Sequence, residues 1–182
     1  MKNIIPAFLL LLCACKHQTG EERYVKYIND LRHKIEQQIK IGEVQATIKW
    51  LPEDYRGLLN KDLQTDGVNK DEGFYYFDIK FDKSKGDKPV KEKVMYLDFD
   101  MQKDFVLLIG KDSVAPVICQ KIENGIAGSY QYMLAFEKKD MQKTAEDFSV
   151  IYNDKIFGIG TIAFVYKQKD IQRIPKLKRE KA

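Results

Sequence analysis

The chain has 182 residues, enough for one ordinary domain with its own core, and a composition of 44% hydrophobic and 32% charged residues excludes both a disordered polymer and a membrane-embedded bundle. A formal charge of +4 is too small to argue for a nucleic-acid partner.

The first element is MKNIIPAFLLLLCACK: Lys2, an apolar run from Ile4 to Leu12, then small residues. About ten apolar residues cannot span a hydrocarbon core that needs ~20 as a helix, whereas a basic start, a short apolar run and small residues are the layout of a secretory signal peptide. A plain signal peptide would be cut near Ala14 and leave Cys15 incidental. Leu12-Cys13-Ala14-Cys15 resembles the bacterial lipobox, with leucine three places before and a small residue just before the modified cysteine. That resemblance implies cleavage before Cys15, a diacylglyceryl thioether on its sulfur and an acylated amino terminus. Cys13 is the rival acceptor, but Leu12 precedes it where the peptidase wants a small side chain. One acyl chain anchors marginally at ~0.8 kcal/mol per methylene; two or three anchor durably, so the expectation is a chain tethered to a membrane without spanning it.

Loss of residues 1–14 leaves 168 and takes the basic residues from 31 to 30 against 27 acidic ones. With Cys13 removed and Cys15 lipidated, Cys119 is the only thiol left and no internal disulfide can form. Residues 15–20 read as a tether, 21–175 as a single globular domain and 176–182 as a basic tail.

Within the domain, Tyr24, Ile28, Leu31, Ile35 and Ile39 recur every three or four residues and Gly42 follows, which predicts an amphipathic helix over 21–41 packed on the domain. Val44, Ala46, Ile48 and Trp50 alternate with polar residues and predict a strand. LPEDYRGLLN predicts a short helix with Pro52 in its first turn and Tyr55, Leu58 and Leu59 inward. KDLQTDGVNKDEG reads as loop, FYYFDIKFDK as a strand with Tyr75, Phe77, Ile79 and Phe81 on one face, and KSKGDKPVKEK as a charged loop. Val94 to Asp104 predicts a helical or irregular piece leading into a strand from about 105 to 109. VAPVICQKI, YQYMLAFEK, DFSVIYN and IGTIAFVYK are four further strands, and DIQRIPKLKREKA a tail that begins extended. Seven strands after one helix predict an α+β, mostly β fold: an N-terminal helix followed by an immunoglobulin-like or related β-sandwich.

Motifs that carry chemistry are scarce. Gly158-Ile159-Gly160-Thr161-Ile162-Ala163 matches GxGxxA, but dinucleotide binding needs those glycines to open a helix and TIAFVYK reads as a strand. Asp98, Asp100 and Asp104 fail the cation-loop pattern, with Lys103 and Ile109 where glycine and glutamate belong, and read as a solvated acidic face. Cys119 lies in a β-rich run as a small buried hydrophobe; a nucleophilic role would need a positioned base, and the chain's histidines are His17, beside the anchor, and His33, in the predicted helix. The aromatic residues, one Trp, ten Tyr and ten Phe, alternate within strands as core first and ligand platform second. No catalytic, cofactor-binding or metal-ligating residue is assigned; the site residue is Cys15, as the point of lipidation.

KIGEVQATIKWLPEDYRGLLN, with DSVAPV, YMLAF and YNDKIFGIGTIAFVYK downstream, resembles a group of small uncharacterised lipoproteins of Bacteroidetes-type bacteria, a likeness covering most of residues 40–175 and implying no activity. Residues 112–166 are similar in layout to immunoglobulin-like extracellular domains that follow lipoprotein anchors. The expectation is a lipid-anchored envelope protein acting as a non-enzymatic binding or assembly module, with the membrane as partner through Cys15, an envelope protein as a second partner, no nucleic acid and no cofactor. The alternatives are an envelope hydrolase, marked by convergent polar groups in a cleft, and a hydrophobic-ligand carrier, marked by a large apolar cavity. Lys16, rather than aspartate, after the cysteine implies transport to the outer membrane, with the periplasmic face favoured and the cell surface as the alternative.

Overall fold

A computed structural model describes residues 19–59, 73–84, 91–138 and 146–177. Among them, nine strands form two antiparallel sheets stacked as a β-sandwich, preceded by a helix, the mostly β architecture expected.

The first helix, α1, spans Gly20–Ile28, and Thr19 closes its start with a capping box. The Glu22 amide donates to Thr19 Oγ1 at 3.1 Å, and the Thr19 amide donates to Glu22 Oε2 at 3.1 Å. Thus the folded part begins inside the segment read as tether. Tyr24 and Ile28 bury one face of α1 on the domain.

The helix expected to run to residue 41 stops at Ile28. Asp30 accepts from the Arg32 amide at 3.0 Å and starts a 3-10 turn over Leu31–His33, which ends in Lys34 at φ 58°. Strand β1, Glu36–Ile41, follows. The misreading has a physical source: a four-residue spacing, as in Leu31, Ile35 and Ile39, suits both a helical face and every second pair of strand positions. Gly42 is therefore not a helix terminus. At φ 58° it sits in the two-residue turn into β2, Val44–Trp50, where Ile41 pairs with Val44 and a positive φ lets the turn follow the strand twist.

Helix α2, Glu53–Leu59, starts directly after Pro52 and buries Tyr55; Leu59, expected inward, is 60% exposed. Strand β3, Phe74–Lys83, turns Phe77, Ile79 and Phe81 into the core. Helix α3, Lys91–Phe99, and a 3-10 turn over Met101–Asp104 lead into β4, Phe105–Ile109, as the sequence predicts. The remaining strands are β5, Asp112–Val114, β6, Ile118–Ile122, β7, Ser129–Glu137, β8, Phe148–Asn153, and β9, Thr161–Tyr166. After β9 the chain does not begin extended: α4, Gln168–Ile171, intervenes, and Ile174 and Leu177 pack back onto the domain. The residues 60–72, 85–90 and 178–182 of the predicted loops and tail lie outside the described residues.

One sheet has the order β1-β2-β3-β7-β6 and the other β5-β4-β8-β9. Nine strands divided five and four also occur in variable-type immunoglobulin domains, but here β3 lies between β2 and β7, where the ABED sheet sets B directly beside E, so the sandwich is of the related kind. Aromatic rings dominate the space between the sheets: Phe81 lies 4.6 Å from Tyr152 and 4.8 Å from Phe157, and Tyr152 lies 5.0 Å from Phe105, centroid to centroid. A smaller cluster of Tyr24, Ile28, Ile35, Leu51 and Tyr55 joins α1 and α2 to the sandwich.

Candidate functional site

Cys15, Cys13 and His17 lie outside the described residues. Cys15 precedes the Thr19 cap by four residues, and such a link spans at most about 14 Å when fully extended. A lipid on Cys15 would hold the start of α1 that close to a bilayer. No helix of the described residues is long and apolar enough to cross a membrane.

Three side-chain arrangements inside the domain carry some chemistry. The first centres on Asp104, which the sequence reading placed on a solvated acidic face and which is 1% exposed. The 3-10 turn before β4 rolls it inward. Its Oδ1 accepts from Tyr96 Oη at 2.7 Å and pairs with Lys155 Nζ at 3.2 Å, while Oδ2 has no partner among the described residues. Asp98 instead pairs with Lys121 at 2.7 Å and Asp100 with Lys103, so the three aspartates do not converge. Among the described residues no group of three or more His, Cys, Asp or Glu side chains is placed to hold a metal ion.

The second is Cys119, half-buried on β6 opposite Leu134, on the inner face of its sheet. Burial, reinforced by the negative charge of Asp104, pushes its thiol up to about 12. A thiolate nucleophile needs the opposite, a cation or a positioned base that lowers the value. His33 is the only described histidine; it stacks on Tyr27 at 3.7 Å between ring centroids in the 3-10 turn after α1. Native protein at pH 7 should therefore react with a maleimide far more slowly than free cysteine does, and reach the free-thiol rate only on unfolding; a native rate equal to that of free cysteine would contradict the inner-face placement.

The third is the β8–β9 loop. Asp154 Oδ1 accepts from the amides of Ile156 at 2.9 Å and Phe157 at 2.8 Å and from Tyr152 Oη at 2.9 Å, and Oδ2 accepts from the Ile159 amide at 2.6 Å. Burial opposes the charge, yet the three amides and the hydroxyl more than offset it and hold the carboxyl below its ordinary value of 3.8. Gly158 and Gly160, at φ 76° and 71°, let the chain coil around this carboxylate and then enter β9. The GxGxxA match is thus a carboxylate-centred turn before a strand.

Two surface features complete the picture. An open groove between α1, α2 and the C-terminal segment is lined by Tyr24, Trp50, Asp54, Ile174 and Leu177 among others. The outer faces of the two sheets differ sharply in charge. On the five-stranded sheet, strand alternation and register place Glu36, Lys40, Lys49, Asp78, Lys80 and Asp82 outward. On the four-stranded sheet the outward positions of β4, β8 and β9 include Val106, Leu108, Ser149, Ile151, Ala163 and Val165, with no charged residue. The burial of Asp104 and this neutral face escaped the sequence reading because each depends on partners distant in the chain, whereas the partners of Asp154 lie within five residues and only the coiling of the loop turns them onto its carboxylate.

No protein-family model matches the chain, and no match emerges among curated proteins. Two solved structures are similar at low level. One is a protein of unknown function from Burkholderia pseudomallei K96243, 12% identical, covering 84% of this chain and 85% of that one with a TM-score of 0.44. The other is a DUF4426 family protein from Pseudomonas aeruginosa PAO1, 9% identical, covering 73% of this chain and 92% of that one with a TM-score of 0.38.

Proposed function

We propose that the chain is a lipid-anchored protein of the bacterial envelope, held at the outer membrane through Cys15 and presenting its β-sandwich as a non-enzymatic binding or assembly module. The observation that carries this reading is Leu12-Cys13-Ala14-Cys15 directly after a short apolar run. The position of the domain supports it, since α1 begins five residues after the cysteine and leaves room for a short link and nothing more. The chemistry of the interior points the same way: the half-buried thiol is held protonated, Asp154 is enclosed by loop amides, and Oδ1 of Asp104 is taken by Tyr96 and Lys155. Lys16 after the cysteine favours the outer membrane, and the periplasmic face is the one proposed.

Cys15→Ser is expected to abolish labelling by a palmitate analogue and to block removal of residues 1–14, while Cys13→Ser leaves both intact. Labelling that survives Cys15→Ser overturns the assignment of the anchor. Digestion of the domain by protease added to intact cells would move it to the cell surface, and fractionation with the inner membrane would overturn the outer-membrane placement.

A further inference from the structure

A sandwich has edge strands, and natural sheets guard them with charge, proline, bulges or brevity. Three of the four edges here are guarded. β1 carries Glu36 and Lys40, β5 is three residues long, and β6 turns Lys121 inward, where it pairs with Asp98 and Glu123. β9 is different: TIAFVY has six residues, no charge, no proline and an uninterrupted register with β8.

Its open side can be read from one hydrogen bond. Gln37 of β1 reaches across from the other sheet and donates from Nε2 to the Val165 carbonyl at 3.0 Å, so that carbonyl points away from β8. The two-residue repeat of a strand then aims the N–H and C=O of Ala163 and Thr161 to the same side. Thr161, Ala163 and Val165 are exposed, beside the neutral outer face of the sheet.

From this geometry we infer that β9 pairs antiparallel with β9 of a second copy of the chain, across a two-fold axis at Ala163, joining the two four-stranded sheets into one of eight strands. A two-fold pair is isologous, so the strand must complement itself. β9 does: Ala163 meets Ala163 and Thr161 meets Val165, no like charges oppose, and about six backbone hydrogen bonds form. The Gln37 amide gives up the Val165 carbonyl to a backbone N–H, exchanging one hydrogen bond for another. A contact one strand long is small beside the ~1,200–2,000 Å² of a stable free complex. The pair therefore rests on the proposed anchor, which confines both copies to one surface and raises their effective concentration.

The test uses the full-length protein in cells, with single cysteines introduced into β8 and β9 and read on non-reducing gels. Ala163→Cys is expected to give a disulfide-linked band at twice the monomer mass, because paired Cα atoms about 5.5 Å apart accept a disulfide. Ile151→Cys, on the same neutral face but one strand inward, is expected to give none, and adding Thr161→Lys to Ala163→Cys should abolish the band. Palmitate labelling of the same samples reports the anchor separately. A labelled, folded Ala163→Cys protein without the band, equal bands from Ala163→Cys and Ile151→Cys, or a linked species of another mass would each overturn the pairing. Absence of label with the band intact would overturn the anchor and its role in the pairing, but not the strand contact.

Discussion

Phe81→Ala is expected to remove about 3–5 kcal/mol of stability, the usual cost of deleting a fully buried aromatic ring. Phe81 is 0% exposed and, from the five-stranded sheet, meets rings of the opposite sheet and of the β8–β9 loop. The cavity left by its removal would be walled by Phe105 and Tyr152, which are held by strand register, and by Phe157, whose amide is tied to Asp154, so the walls cannot collapse into it freely. For a domain of this size the loss corresponds to a fall in melting temperature of roughly 6–20 °C. Ile126→Ala, at a side chain 63% exposed, should change the melt by a small fraction of that. Thermal unfolding followed by circular dichroism measures both, and similar small shifts for the two variants would mean that the sheets do not pack through Phe81.

Asp154→Ala should cost about 2–4 kcal/mol, because it strips a charged acceptor from three backbone amides and the Tyr152 hydroxyl at once. The loop reaches solvent, so freed amides find water and the loss stays below the sum of four separate charge-assisted bonds. The pH dependence carries a definite sign. Since the folded carboxyl titrates below its ordinary value of 3.8, its contribution is fully present above that value and disappears as the pH falls through the folded one. Denaturant unfolding of the two proteins from pH 7 downward should show the gap between native protein and Asp154→Ala constant to about pH 5 and closing below pH 3.8. A gap that widens on acidification would mean that Asp154 is not the charged centre of the turn.

Alternation made much of the sandwich legible in advance. β2, β3, β7, β8 and β9 each show apolar residues at every second position, and their inward sets are the buried ones. β1 was hidden because Ile35 and Ile39 continue the helical spacing of Tyr24 and Ile28, and the break depends on a local hydrogen bond from the Arg32 amide to Asp30. β5 was hidden by its length of three residues, too short for any period to register. The buried carboxylate of Asp104 was read as solvated because its partners lie 8 residues upstream at Tyr96 and 51 downstream at Lys155, and only the fold brings them together. The neutral outer face depends on which strands are neighbours: Val106, Ile151 and Ala163 are unremarkable alone and become a surface through register. The proposal for Cys15, by contrast, rests on the sequence alone, since a signal peptidase would read a local pattern before the chain folds.

The proposed lipid anchor is tested most directly by mass spectrometry of the amino-terminal fragment of the protein taken from cell membranes. The expected fragment begins at Cys15 and carries a diacylglyceryl group on its sulfur. A fragment that begins at any other residue, or one that begins at Cys15 with an unmodified thiol, would contradict it.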